Sequence, residues 1–248
     1  MAMWCMLGQR GVEVYSWENF GHDWNIDAGE QLPLDNKILV KADYGDIPDF
    51  SKSNPDNDIV FTWNGTTAGV RIKNTDWISD DRKGLTICDA TSAVFSMEMD
   101  WPKLDVVTYS WQKVLGSEAA HGMLILSPRA VERLESFTPP WPIPKVFRLA
   151  QNQKLISGIF SGATINTPSM ISVEDVLNSL NWSNEIGGLS KLIEISENNL
   201  KIVSDWIETN ENFEFLAKDP KTRSCTSICI IPKDEWFKSL NSDDQKKF

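Results

Sequence analysis

Six short apolar runs, each leading into polar residues, constrain the fold of this chain more than any other feature. They lie at residues 12–15, 38–40, 59–63, 85–88, 106–109 and 123–126. Most are continuous rather than alternating, the pattern of strands covered on both faces in a mainly parallel sheet. The intervals between them leave room for helical crossovers, so an α/β layer architecture is expected. Residues 128–136 read as a helix, with Ser127 as N-cap and Pro128 in its first position.

The texture changes after Phe137. Residues 139–144 read Pro-Pro-Trp-Pro-Ile-Pro, which holds neither helix nor ladder hydrogen bonds and predicts an extended loop. Residues 172–180 predict a capped helix with Glu174 and Asp175 in its first turn. Residues 187–206 carry Leu189, Leu192, Ile193, Leu200 and Val203 at roughly helical spacing, as a long amphipathic helix would. Residues 213–216 and 227–231 read as strands of a smaller α+β unit. A large domain over 1–185 and a partial small domain over 186–248 are therefore expected.

Charge narrows the partners. Lys and Arg number 24 against 35 Asp and Glu, a net charge of −11. Such a chain repels phosphate backbones and anionic lipid, so neither a nucleic-acid nor a membrane partner is expected. No run approaches the ~20 apolar residues of a membrane span. The apolar start, Met1 to Leu7, lacks the basic lead-in and small-residue cleavage site of a signal peptide. Cys5, Cys88, Cys225 and Cys229 are few and scattered, which fits a reducing cytoplasm. His22 and His121 are too few and isolated for a metal site. Cys225 and Cys229 would share one face of a strand and read as buried thiols. Arg129, Arg133 and Arg148 read as solvated helix or loop residues, and the eleven Trp as contributors to a large core.

Three strand ends carry chemistry. Residues 59–63 run into Asn64-Gly65-Thr66-Thr67, residues 85–88 into Asp89, and residues 106–109 into Ser110-Trp111-Gln112-Lys113. In a parallel α/β sheet, ligands gather at the carboxyl ends of strands. A hydroxyl, a carboxylate and an amine at equivalent ends match what pyridoxal 5′-phosphate requires. The amine forms a Schiff base and moves the substrate Cα proton. The carboxylate keeps the pyridine nitrogen protonated, so that the ring is an electron sink. The hydroxyl tunes the ring oxygen, and an aromatic face such as Phe20 stacks the ring.

Asp89-Ala90-Thr91-Ser92, followed twenty-four positions after Asp89 by Lys113, resembles the class V aminotransferases of the aspartate aminotransferase fold, pyridoxal-phosphate fold type I. Within that class, Thr62-Trp63-Asn64-Gly65-Thr66-Thr67, Gly116-Ser117-Glu118-Ala119-Ala120-His121-Gly122-Met123 and Gly162-Ala163-Thr164-Ile165-Asn166-Thr167-Pro168-Ser169 closely resemble a bacterial branch of the phosphoserine aminotransferases.

The resemblance implies roles for individual residues. Lys113 matches the Schiff-base lysine, Gln112 a cofactor-phosphate ligand, Asp89 the partner of the pyridine nitrogen, and Thr66 the hydroxyl on the ring oxygen. Phe20 lies where the family has its stacking aromatic, with Trp24 as a rival. Asn166 and Thr167 match a pair that reaches the partner subunit's cofactor phosphate, which implies a homodimer with shared active sites. The implied reaction moves an amino group between glutamate/2-oxoglutarate and 3-phosphohydroxypyruvate/phosphoserine, in serine biosynthesis. Another class V reaction, such as the alanine–glyoxylate type, and a non-catalytic remnant are the alternatives. Family members also begin earlier, with a phosphate-binding loop and substrate-binding basic groups, and continue past Phe248 with a carboxylate-binding arginine. The chain is accordingly expected to be truncated at both ends.

Overall fold

The computed structural model describes residues 1–245 and 247. The six apolar runs form one six-stranded sheet. Its strands are β1 (Val12–Ser16), β2 (Lys37–Lys41), β3 (Asp58–Thr62), then, after a two-stranded ribbon of β4 (Asn64–Gly65) and β5 (Val70–Arg71), β6 (Thr86–Asp89), β7 (Val106–Ser110) and β8 (Gly122–Leu126). Their order is β2-β1-β3-β6-β7-β8. All neighbours are parallel except β7 and β8, so the sheet is mainly parallel, as the continuous apolar runs require.

Successive residues point to opposite faces, and two clusters result. Val12, Val14, Val60, Ile87 and Val106 pack on one face with helices α1 (Ala2–Met6) and, further along the chain, Leu134. Tyr15, Ile59, Phe61, Cys88 and Val107 pack on the other with Trp17, Trp63, Ala217 and Cys225. Full burial of a side chain such as Phe61 contributes about 1.5–3 kcal/mol each.

The connections differ from the sequence expectation. Only β1 and β2 are joined by a helix, α2 (Asn19–Ile26), which runs into a π turn at Asp27–Gln31. Residues 42–57 contain turns and no helix, and β6 reaches β7 through turns and the 3₁₀ segment Trp101–Lys103. Aspartate, glycine, asparagine and proline crowd residues 42–57 and favour turns over helix there.

Ser127 does cap α3 (Pro128–Ser136), accepting from the Ala130 amide at 3.2 Å. Residues 139–144 are without helix or strand. The next helix, α4 (Met170–Glu185), starts two residues before the expected span, with Ser169 as its N-cap, so Glu174 and Asp175 fall beyond its first turn. Gly187 and Gly188, at φ of 121° and 72°, break it from α5 (Gly188–Glu208). A short antiparallel ribbon pairs Phe213–Phe215 with Ile230–Pro232.

Two further expectations are corrected. Arg133 is buried and binds Asp58 through two contacts of 2.8 and 3.0 Å, while Arg129 and Arg82 share Asp105. Both carboxylates tie the start of a strand to its neighbours: Asp58 begins β3, and Asp105 immediately precedes β7. Spacing gave no sign of these partners. The tryptophans also divide: Trp17, Trp63 and Trp141 are buried, whereas Trp101, Trp182, Trp206 and Trp236 are exposed. No helix among the described residues is long and apolar enough to cross a membrane.

Candidate active site at the strand ends

The parallel register decides which side chains meet. Thr62 on β3 pairs with Asp89 on β6, and Asp89 with Thr108 on β7. Parallel strands end on the same edge, so the residues after β1, β3, β6 and β7 converge. They enclose a cavity of about 180 Å³ lined by Glu18, Phe20, Thr62, Asn64, Thr66, Asp89, Thr91, Ser92, Ser110, Gln112 and Lys113. Phe20, Thr66, Asp89, Gln112 and Lys113 are thus brought together from four strand ends.

Asp89 is held from one side. Its carboxylate accepts from the Thr91 amide at 2.9 Å and the Thr91 hydroxyl at 2.6 Å. Burial pushes its carboxyl above the ordinary value, the Thr91 bonds oppose this, Glu18 adds to it and Lys113 opposes it. A cationic ring nitrogen in the cavity would compensate that desolvation.

Thr66 donates to Ser92 at 2.9 Å, and Asn64 Nδ2 donates to the same oxygen at 2.8 Å. Gln112 accepts from Ser110 at 2.5 Å. Lys113 has no hydrogen bond or ion pair among the described residues; besides this cavity it borders a second one of about 400 Å³, with Trp182, Asn199, Thr226 and Ser227. Phe20 is 51% exposed and lines the cavity, whereas Trp24 does not line it and packs on the sheet face that carries Val12 and Val14. Asn166 and Thr167 are exposed, between the 3₁₀ segment Ser157–Ser161 and α4, and do not line the cavity of their own chain.

Pyridoxal phosphate fits this residue set on an observation independent of any relative. Thr62 Oγ1 and Asn64 Oδ1, in the cavity wall, are buried polar atoms without a partner among the described residues. Such orphans are costly and call for a polar occupant.

Sequence reading missed Glu18, Asn64 as a wall residue, and Thr226. Glu18 is fully buried, with its carboxylate turned toward the loop after β3. Thr226 brings the C-terminal part of the chain to the site, donating to Ser92 O at 2.8 Å. A carboxylate three positions after an apolar run, as in Ser16-Trp17-Glu18, was the available signal for the first. Nothing in sequence spacing marks the second, which lies 134 residues from its partner.

No protein-family model matches the chain. A phosphoserine aminotransferase of Methanosarcina barkeri is 52% identical over 242 residues, 97% of this chain and 65% of that protein. Over that stretch, the chain is similar to the phosphoserine aminotransferases. The Methanosarcina mazei member is 53% identical over 230 residues, 93% of this chain and 62% of its own length, and one from Parabacteroides distasonis is 26% identical over 229. The chain therefore spans somewhat less than two thirds of the length of the curated relatives it matches. The fold is that of pyridoxal-phosphate aminotransferases: a Cytophaga hutchinsonii phosphoserine aminotransferase superposes with a TM-score of 0.79 at 20% identity, over 94% of this chain and 64% of that one. An alanine–glyoxylate aminotransferase from Nostoc gives 0.73 at 14% identity, over 96% and 64%.

Proposed function

We propose that the cavity holds pyridoxal 5′-phosphate and that the chain carries the cofactor-binding half of a phosphoserine:2-oxoglutarate transaminase. One observation supports this above all: a lysine without an ion pair among the described residues, a desolvated carboxylate, a hydroxyl, an amide and an aromatic ring line one cavity at the carboxyl edge of the sheet. When bound, the cofactor supplies an electron sink for the charge left at the substrate Cα.

The protein's part follows from each group. Lys113 is the tether, and its amine carries the proton to and from the substrate Cα. Asp89, oriented by Thr91, holds a proton on the ring nitrogen. Thr66 gives its one hydroxyl proton to Ser92 in this structure and would turn it to the ring oxygen when the cofactor is bound. Gln112 contributes to the phosphate, and Phe20 covers the ring. The second cavity beside Lys113 gives a substrate room to approach the amine from the side of α4 and α5.

The substrates are phosphoserine/3-phosphohydroxypyruvate and glutamate/2-oxoglutarate, used in alternating half-reactions within serine biosynthesis. Two copies form a homodimer in which Asn166 and Thr167 of each complete the phosphate site of the other; their exposure is consistent with that role. The division into a large domain over 1–185 and a small one over 186–248 is part of the same reading, as is a cytoplasmic location.

The test adds pyridoxal phosphate and follows its absorbance, then adds phosphoserine or alanine. A lysine-linked absorption band that phosphoserine discharges and alanine does not supports the reading. A band discharged by alanine alone replaces it with another class V specificity, and no band with either rejects it.

A further inference from the structure

Glu18 has no part in the chemistry above, yet it is fully buried at the edge of the proposed cofactor cavity. Its two oxygens face different loops. Oε1 accepts from the Gly21 amide at 2.7 Å, capping α2 one residue beyond Phe20. Oε2 accepts from the Thr67 hydroxyl at 3.0 Å and the Thr67 amide at 3.3 Å, one residue beyond Thr66. The contact is reciprocal, because the Asn19 amide donates back to Thr67 Oγ1 at 3.2 Å.

Close approach of the two loops is built into the sequence. A Cβ on Gly65 would collide with the Trp17 ring and would stand 2.8 Å from Glu18 Cγ. Glycine at position 65 therefore lets the Glu18 side chain lie against the loop after β3. Trp17 reinforces the same junction, its ring nitrogen donating to Val70 O at 2.9 Å.

We infer that Glu18 is a positioning residue: a buried carboxylate brace that fixes the Phe20 loop to the Thr66 loop and so sets the width and tilt of the slot for the cofactor ring. The inference rests on the proposed cofactor site. Its physical basis is that a carboxylate accepts on both oxygens, whereas an amide in its place turns one acceptor into a donor facing the Gly21 or the Thr67 amide. The proposed contact pairs Phe20 with one face of the ring and Thr66 with its edge, so a brace between the two acts on both at once. The charge of Glu18 also pushes the Asp89 carboxyl upward, toward its protonated form when no cation lies beside it.

Glu18→Gln and Thr67→Val, alone and together, test this in the whole chain. Amide exchange at Gly21 and Thr67 is read without cofactor, and cofactor affinity and the induced circular dichroism of its visible band are read with it. Glu18→Gln is expected to speed exchange at both amides and to weaken cofactor binding, each at least about tenfold, the scale of lost charge-assisted bonds. The induced dichroism per occupied site should fall by about half or more, a change that a uniform loss of stability does not produce. Because the residues act as one unit, the double variant should be little worse than Glu18→Gln. Acceleration at Gly21 alone would reduce Glu18 to an ordinary helix cap and overturn the brace, as would unchanged affinity and dichroism in a protein that binds the cofactor. If the unaltered chain binds no cofactor, the functional reading fails, and the paired exchange rates alone then decide for or against the brace.

Discussion

The hydroxyl of Thr66 donates to that of Ser92 across 2.9 Å, joining the loop after β3 to the turn after β6 beside Asp89. Ser92 also accepts from Asn64 Nδ2 at 2.8 Å and donates to Asn64 O at 3.2 Å, so one buried hydroxyl serves three contacts. Ser92→Ala should therefore cost more than a typical hydrogen bond. The expected loss is about 1–3 kcal/mol, because partners are left unsatisfied. Urea unfolding measures it, and cofactor affinity should fall in parallel because Thr66 is released; an unchanged midpoint and affinity would count against the network.

Asp89 predicts a trade between stability and binding. Burial raises its carboxyl above the ordinary value of 3.8, so the folded chain holds the proton more tightly than the unfolded chain. Its contribution to stability is full below the unfolded value and is lost as pH rises through the raised folded value. Asp89→Asn keeps acceptors for Thr91 and removes the buried charge. Without cofactor, the variant should melt above the unaltered chain at pH 7, with the difference shrinking toward pH 4. With cofactor, the order should reverse, because the partner of the ring nitrogen is gone. Melting curves at a series of pH values, with and without pyridoxal phosphate, check both signs.

Arg133 and Asp58 make a different kind of claim, confined to stability. The pair is buried, and Arg133 Nη1 also donates to Met6 O at 2.7 Å, linking α3, β3 and α1. Arg133→Ala leaves the Asp58 carboxylate buried without its partner, a loss of about 3–5 kcal/mol. Replacing both residues with apolar side chains of similar volume should recover much of it. Equilibrium denaturation of the single and double variants separates the two outcomes.

How far sequence reading reached follows from what each residue answers to. The strands were legible because burial on both faces leaves continuous apolar runs, as at residues 59–61 and 106–107. The meeting of Lys113, Asp89, Thr66, Gln112 and Phe20 at one cavity was legible because parallel strands deliver their ends to one edge, and local sequence marks those ends. Glu18, Thr226 and the Arg133–Asp58 pair were not, because each is defined by a partner 49 to 134 residues away. The crossovers were misread for a related reason: interval length leaves room for a helix, but residues 42–57 carry turn-forming side chains that favour another path. Arg129 and Arg133, on an amphipathic helix, looked solvated until Asp105 and Asp58 were in view.

The exposed Asn166 and Thr167 predict sharing between subunits. Lys113→Ala chains mixed with Asn166→Ala/Thr167→Ala chains should regain activity that neither has alone. Random exchange makes half the dimers mixed, each with one intact site, so recovery should approach about a quarter of the unaltered level. No recovery, with subunit exchange demonstrated by differential labelling, would reject the shared site.

The central claim is that Lys113 is the cofactor tether. Loading the protein with pyridoxal phosphate, reducing it with borohydride and mapping the modified peptide tests that most directly. The label should fall on the peptide containing Trp111-Gln112-Lys113, and Lys113→Ala should abolish it. A label on any other lysine, or one that persists in Lys113→Ala, would contradict the account.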